Sequence, residues 1–558
     1  MKRKLPILCL LFILGVLLLA ACSDDSNAND DGSGSDDNAS SDEPITLTFF
    51  NADGEEKTFD DPVAQKITEE TGIKLEMDYP VGGNDETVPL MIASGEYPDL
   101  IFAKGDIGKL IEAGGVIKLD DMIEEKGENL KAMYGDQLDR LRNSVDDPSI
   151  YNVGTYGVEE ARWETSGTFQ IQLDVLRELG YPEINTLEDF EAAITDYYEM
   201  YPEIDGQKTI PLSLLGSDWR WLITVGNPSG FAAGIPDDGQ WAIDDETGET
   251  TYKFLKPELK EYFKWLNGLN DKGLLDPESF THTYDTYISK LSSGRVLSIA
   301  DQSWNIGDAD AALVADGKEW RTYAPLPVTL GEEYKSQGLK DYGFAGGWGI
   351  SISSTSEYQD EAFEFLDWMA SEEAQILVNW GIEGENYDVV DGKRVMHEDD
   401  RERKNTDADY PKETGVGYYV YPFPQWGNGA LDSDGQPITP DSEQDIIDNF
   451  NEAEKEVTAE YGIDNWIEWF PEPEELGVSK HGAAANYTIQ SGSDLEIIQQ
   501  KADDLTEQRI TQAVLGAPED FDASWDAMIE ELEAMNIEKA NEEMTQKTKD
   551  TMELWGTN

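Results

Sequence analysis

The spacing of apolar positions divides this chain into three stretches. Leu5 to Leu19 is a nearly unbroken apolar run behind Lys2-Arg3-Lys4, the layout of a secretory leader. Ser23 to Glu43 then holds no apolar side chain larger than alanine. Such a stretch cannot bury enough surface to offset its ordering entropy, and it reads as a disordered tether. From Pro44 onward the patterns become periodic. Ile45-Thr46-Leu47-Thr48-Phe49-Phe50 alternates and is rich in strand formers. Asp61 is placed as an N-cap with Pro62 at the first helical position, and that helix stops at Gly72. Ile73, Leu75 and Met77 alternate in a second strand, and a short helix around Pro89 to Ala93 leads to a third at Asp99-Leu100-Ile101-Phe102. This βαβαβ spacing predicts a parallel sheet with right-handed crossovers.

Further along, Thr186 and Asp189 have the spacing of a capping box, and Leu187, Phe190, Ala193, Ile194 and Tyr197 recur at helical intervals behind them. Two helices are expected over 362–370 and 372–380, with Ser371 as the cap between them and Gly381 as the stop. From Ser524 to about Leu554 almost every residue is a helix former, with Trp525, Met528, Ile529, Leu532 and Met535 on one face.

The leader is shorter than the roughly 20 apolar residues a membrane span needs, and it carries Pro6 near its start. Its end, Leu18-Leu19-Ala20-Ala21-Cys22, resembles the bacterial lipobox. That resemblance implies a signal peptide over 1–21, a lipidated Cys22, and a tether to residue 43 with an end-to-end distance of roughly 25 Å. The only other cysteine is Cys9, inside the leader, so the mature chain has no internal disulfide and stands on its core alone.

The body after the tether is too long for one ordinary core and calls for two lobes or domains. Acids number 116 against 41 Lys plus Arg, a formal charge of −75 that becomes −78 when Lys2, Arg3 and Lys4 leave with the leader. Such a surface repels nucleic acid and anionic headgroups. The acids are dispersed, as suits solubility in high salt or an alkaline medium.

Met91-Ile92-Ala93-Ser94-Gly95-Glu96-Tyr97-Pro98-Asp99-Leu100 resembles the SG-x-x-PD signature of the extracellular solute-binding proteins of bacterial ABC importers. Leu176 to Gly180 with Thr186 to Phe190, Ser293-Gly294-Arg295 with Ser303-Trp304, and Gly346 to Ile350 with Trp380 to Gly384 follow in matching order. The last, with Asn386-Tyr387, is similar to the ending of an oligosaccharide-binding lipoprotein subgroup. The resemblance implies a two-lobed α/β fold of the type II periplasmic-binding-protein kind with a cleft between the lobes. Lobe 1 would comprise 44–158 and 344–382, and lobe 2 would comprise 159–343 and 383–558. Glycine-rich crossings would fall near 154–167, 343–349 and 381–388, as suits a hinge. The implied function is capture of an oligosaccharide for an ABC permease by a monomer anchored by lipid on the outer face of the bacterial cell membrane. No cofactor is expected. Some relatives carry a calcium loop where this chain reads Tyr201-Pro202-Glu203-Ile204-Asp205-Gly206-Gln207-Lys208, which lacks the alternating Asp/Asn ligands, so no metal is expected.

Sugars pair apolar C–H faces with hydroxyls, so their sites combine flat aromatics with carboxylates, amides or guanidinium groups. Ser217-Asp218-Trp219-Arg220-Trp221, Asp301-Gln302-Ser303-Trp304-Asn305, Trp348 among glycines, and Trp380 with Glu383, Asn386 and Tyr387 have that chemistry. Trp304, Trp348, Trp219, Glu383 and Tyr387 are the candidate ligand contacts. Trp219 and Trp221 share a face only in an extended segment. Trp163, Trp241, Trp265, Trp368 and Trp525 fit core roles, and the run from Tyr418 to Phe423 with Trp426 fits a packed loop. The acidic balance disfavours uronates unless Arg162, Arg220 or Arg295 lies in the cleft. His282, His397 and His481 are isolated, and there is no G-x-S-x-G elbow or Walker loop, so an enzyme is not expected. A lipid-anchored glycoside hydrolase and a protein that presents ligand to a membrane sensor are the alternatives.

Overall fold

A computed structural model describes residues 43–557 apart from 55–56, 81–86, 159–160, 166, 238, 345, 347, 480, 483–488 and 490–491. The leader, Cys22 and the tether up to residue 42 lie outside the described residues. The molecule is a two-lobed α/β fold, each lobe built on one four-stranded sheet.

In the first sheet the strand Ile45–Asn51 runs parallel to both Ile73–Asp78 and Leu100–Phe102, as the spacing predicts. A fourth strand, Ile350–Ile352, joins antiparallel at the edge from far along the chain. The helix Pro62–Thr71 starts where Asp61 Oδ1 accepts from the Ala64 N–H at 2.9 Å, and it ends on Gly72 in the left-handed conformation. Both halves of the box formed by Thr186 and Asp189 are present at the start of Leu187–Met200, whose buried residues are the five expected. Ser371 Oγ accepts from the Ala374 N–H at 3.1 Å to open Glu372–Trp380.

The second sheet has parallel strands Ile210–Leu212 and Val296–Gln302, with Gly167–Gln172 and then Tyr323–Leu326 added antiparallel on the other side. Its core includes Phe169, Tyr262, Leu297 and Leu326, together with Trp525, Met528 and Leu532 from the C-terminal helices. The long helical stretch near the C-terminus is two helices, Phe521–Ala534 and Ile537–Leu554, because Asn536 sits at φ 71° and turns the chain between them. The segment 201–208 folds as a hairpin of Glu203–Ile204 with Gln207–Lys208, turning on Asp205 and Gly206, both with positive φ.

The division of the chain between the cores differs from expectation at one place. Tyr387, Met396, Tyr410, Tyr419 and Phe423 are buried in the core of the first sheet with Leu47 and Phe49, whereas the segment after 382 was expected with the second lobe. Ile446, Ile447 and Phe450 belong to the second core, so the return crossing lies between 423 and 446. The reason is packing: Tyr419 packs edge-on against Phe59, and its hydroxyl donates to Asp61, the cap of the helix Pro62–Thr71.

The other crossings are tight. Val153 and Ile350 pair antiparallel, and a Cβ on Gly349 would lie 2.8 Å from the Val153 carbonyl. Gly154 has φ +113°, and a Cβ there would lie 2.4 Å from the Pro422 carbonyl, so only glycine fits.

Candidate ligand-binding site

Both mixed sheets carry an aromatic group just beyond the carboxyl ends of their parallel strands, where open α/β sheets bind ligands. In the second lobe Val296–Gln302 ends two residues before Trp304, and Ile210–Leu212 leads to Trp219. The two indoles are stacked, with ring centres 6.1 Å apart and planes nearly parallel at an interplanar angle of 10°. They are 61% and 57% exposed, whereas the other thirteen tryptophans are buried or half-buried. Exposing so much flat apolar area is unfavourable in water unless something covers it.

A buried network holds the rings. Asp301, 1% exposed, accepts from Tyr287 Oη at 2.8 Å, the Gln302 N–H at 2.7 Å, and Asn305 Nδ2 at 3.0 Å to each oxygen. Asn305 Oδ1 in turn accepts from Arg220 Nε at 3.0 Å. The Arg220 guanidinium lies 4.6 Å from the Trp219 ring centre and 4.2 Å from that of Tyr284, and Nη1 donates to Asp218 at 2.9 Å. Arg220 therefore acts as a spacer between rings, with its charge already paired.

In the first lobe the register pairs Asn51 with Phe102, which places Asp53 and Lys104 at equivalent positions two residues beyond neighbouring strands. Lys104 Nζ meets Asp53 Oδ1 at 2.9 Å, and Tyr421 Oη donates to Asp53 Oδ2 at 2.9 Å. The same ammonium lies 5.5 Å from the Trp348 ring centre, and Trp348 is 6.4 Å from Tyr156. Lys104 has φ 51° and Thr155 φ 85°. Such conformations cost on the order of 1 kcal/mol or more for residues with a Cβ, and they concentrate at functional sites. Tyr156 and Tyr421 are 36% and 37% exposed, yet the surrounding protein, and then Asp53, push both phenols up from their ordinary values. Part of each ring is open to water while the rest packs against protein.

A profile of the bacterial extracellular solute-binding proteins matches residues 63–380, more than half of the chain. The protein is a member of that family. A fructooligosaccharide ABC-transporter substrate-binding protein of Streptococcus pneumoniae is 23% identical over 352 residues, 58% of this chain and 60% of the relative. The lipoprotein LipO of Bacillus subtilis is 23% identical over 348 residues, 59% of this chain and 65% of that one. The matches thus span about three fifths of these relatives. Among solved structures, an HMO-binding solute-binding protein from Bifidobacterium longum infantis superposes with a TM-score of 0.64 at 17% identity, covering 91% of this chain and 99% of that one. An alginate-binding protein gives 0.63 at 16%, covering 91% and 99%.

Within this solute-binding protein the candidate contacts separate. Trp219 and Trp304 are brought together, and Trp348 lies in the other cluster, half-buried. Trp221 is not beside Trp219: the segment turns helically, and Trp221 is buried against Phe254. Tyr387 is 7% exposed with its ring against Trp380, a core position with no face to offer. Glu383 is exposed on the turn before it, and Asn386 is spent on the Ile382 N–H and Asp400. Arg295 precedes the strand whose other end leads to Trp304, roughly 20 Å away. Arg162 lies on a crossing with its buried Nε unpartnered. The sequence reading missed Asp53, Lys104, Tyr156 and Tyr284. The signal available for the first two was their equal offset from two adjacent strands.

Burial raises several carboxyls: Asp301 to about 6, Asp310 to about 7 with help from Glu454, and Asp503 to about 7. The ordinary value is about 3.9, so between pH 4 and 7 the folded state binds more protons than the unfolded one. Their contribution is complete below about pH 4 and lost as pH rises through 6 to 7. Asp147 is held down to about 2, chiefly by its hydrogen bond from Tyr151, and loses its contribution only below pH 4. The melting temperature should therefore rise from pH 8 to 5 and fall below 4. Calorimetry in about 1 M salt, where the Debye length is about 3 Å, suppresses the general relief of self-repulsion. Asp301→Asn should flatten part of the rise, and a steady fall from pH 8 to 5 would contradict the assignment.

Proposed function

We propose that this protein captures an oligosaccharide between its lobes and delivers it unchanged to an ABC importer. The observation that carries the reading is the exposed, stacked Trp219 and Trp304 pair, which stands outside the hydrophobic core. Pyranose and furanose rings present C–H faces to such surfaces, and polar groups beside the rings meet the hydroxyls. Trp348, Tyr156 and the Lys104–Asp53 pair would close on the ligand from the first lobe. The fructooligosaccharide and HMO-binding relatives support the substrate class, and the lipoprotein relative supports anchoring of Cys22 at the outer face of the cell membrane.

Trp219→Ala and Trp304→Ala should each weaken binding by about 1 to 3 kcal/mol, the scale of covering one large side chain. Their ligand-free melting temperatures should change little, because these rings already face water. Titration calorimetry with neutral oligosaccharides reads the affinity, and chromatography after long incubation should return the sugar intact. Normal binding by both variants would remove the platform from the site, and cleaved sugar would make the protein a hydrolase.

Anchoring has its own test. Metabolic labelling with a fatty-acid analogue should mark the wild type and leave Cys22→Ala unlabelled; equal label in both would refute it.

A further inference from the structure

We propose that the Lys104–Asp53 pair, framed by Trp348, Tyr156 and Tyr421, determines ligand specificity and selects an uncharged oligosaccharide over an acidic one. The inference rests on reading the cleft as an oligosaccharide site and adds the charge class of the sugar. Three features single the pair out from the many surface ion pairs of this chain. Lys104 is held at φ 51°, so the backbone is bent to aim this side chain. Its ammonium meets both a carboxylate and the indole of Trp348. Asp53 is fixed from its other oxygen by Tyr421, whose ring packs edge-on against Phe102 at the end of the strand. Both charged side chains keep part of their surface open to solvent, 30% for Lys104 and 39% for Asp53.

A fixed ammonium beside a fixed carboxylate is a donor next to an acceptor. Neighbouring hydroxyls of a neutral sugar satisfy both, one accepting from Nζ and the next donating to the carboxylate, while a ring face rests on the indole. A uronate offers acceptors where Asp53 needs a donor, and it brings a further negative charge beside Asp53. The cation of the opposite platform gives no relief, because Arg220 already pairs with Asp218 and Asn305. The negative field that Asp53 imposes on the Tyr156 and Tyr421 phenols acts against an anionic ligand in the same place.

The test compares two ligand panels on the full chain by titration calorimetry: neutral fructo-, gluco- and galacto-oligosaccharides, and oligouronates of matched length. The wild type should bind a neutral sugar at least about 100-fold more tightly than any oligouronate, with an affinity nearly independent of salt. Lys104→Met should weaken the neutral sugar about tenfold. Asp53→Asn leaves the ammonium without its counter-charge, so the preference for neutral over acidic sugar should narrow by at least about tenfold. A structural role alone would not move that ratio, and melting temperatures of the ligand-free variants report whether they fold. Preferential binding of an oligouronate, particularly if Arg162→Gln abolishes it, overturns this inference and leaves the oligosaccharide reading intact. An unchanged ratio in a folded Asp53→Asn protein also overturns it. Binding of neither panel overturns the oligosaccharide reading itself.

Discussion

The buried Asp301 carboxylate fixes the geometry on which the candidate site depends. It sits on the strand that crosses the second sheet, receives four hydrogen bonds, and through Asn305 aligns the guanidinium that separates Trp219 from Tyr284. Without that chain of contacts two exposed indoles would gain by turning inward onto apolar surface. Burial pushes the Asp301 pKa up, a cost paid for positioning and not for stability. A rigid aromatic surface loses little entropy when a ligand covers it, which is what preorganised binding requires.

The first lobe solves the same problem with backbone strain and an ion pair. Lys104 and Thr155 hold positive φ angles, and Gly154 and Gly349 let the crossing segments approach closer than a Cβ allows. Asn152 Oδ1 and Thr155 Oγ1 are buried there without hydrogen-bond partners, a further sign that this junction is not arranged for maximal stability. Tyr156 and Trp348 stand at the crossings themselves, so a rotation of one lobe against the other would move them directly.

The parts of the fold legible in the sequence are those governed by local physics. Asp61-Pro62, Thr186 with Asp189, and Ser371 announced helix starts because capping needs particular atoms at fixed offsets. The first three strands followed from alternation and spacing. The break at Asn536 was not legible, because Met535-Asn536-Ile537 does not interrupt the helical pattern and the left-handed turn is set by how the last helix packs on Thr250 to Tyr252. Tyr387 belongs to a motif with sugar-binding chemistry, but its ring is spent on Trp380, a contact the motif does not announce. Trp219 and Trp304 stood out because polar residues surround them, yet their stacking across 85 residues of chain, and the pairing of Lys104 with Asp53, exist only once strand register is known.

The central claim is that platforms on two separate lobes close on one ligand. Hydrogen–deuterium exchange with and without bound oligosaccharide tests it most directly. The account predicts simultaneous protection of peptides covering 217–221 and 302–305 in the second lobe and 152–156 and 348–352 in the first. Protection confined to one lobe, or protection elsewhere with both platforms unchanged, would contradict it.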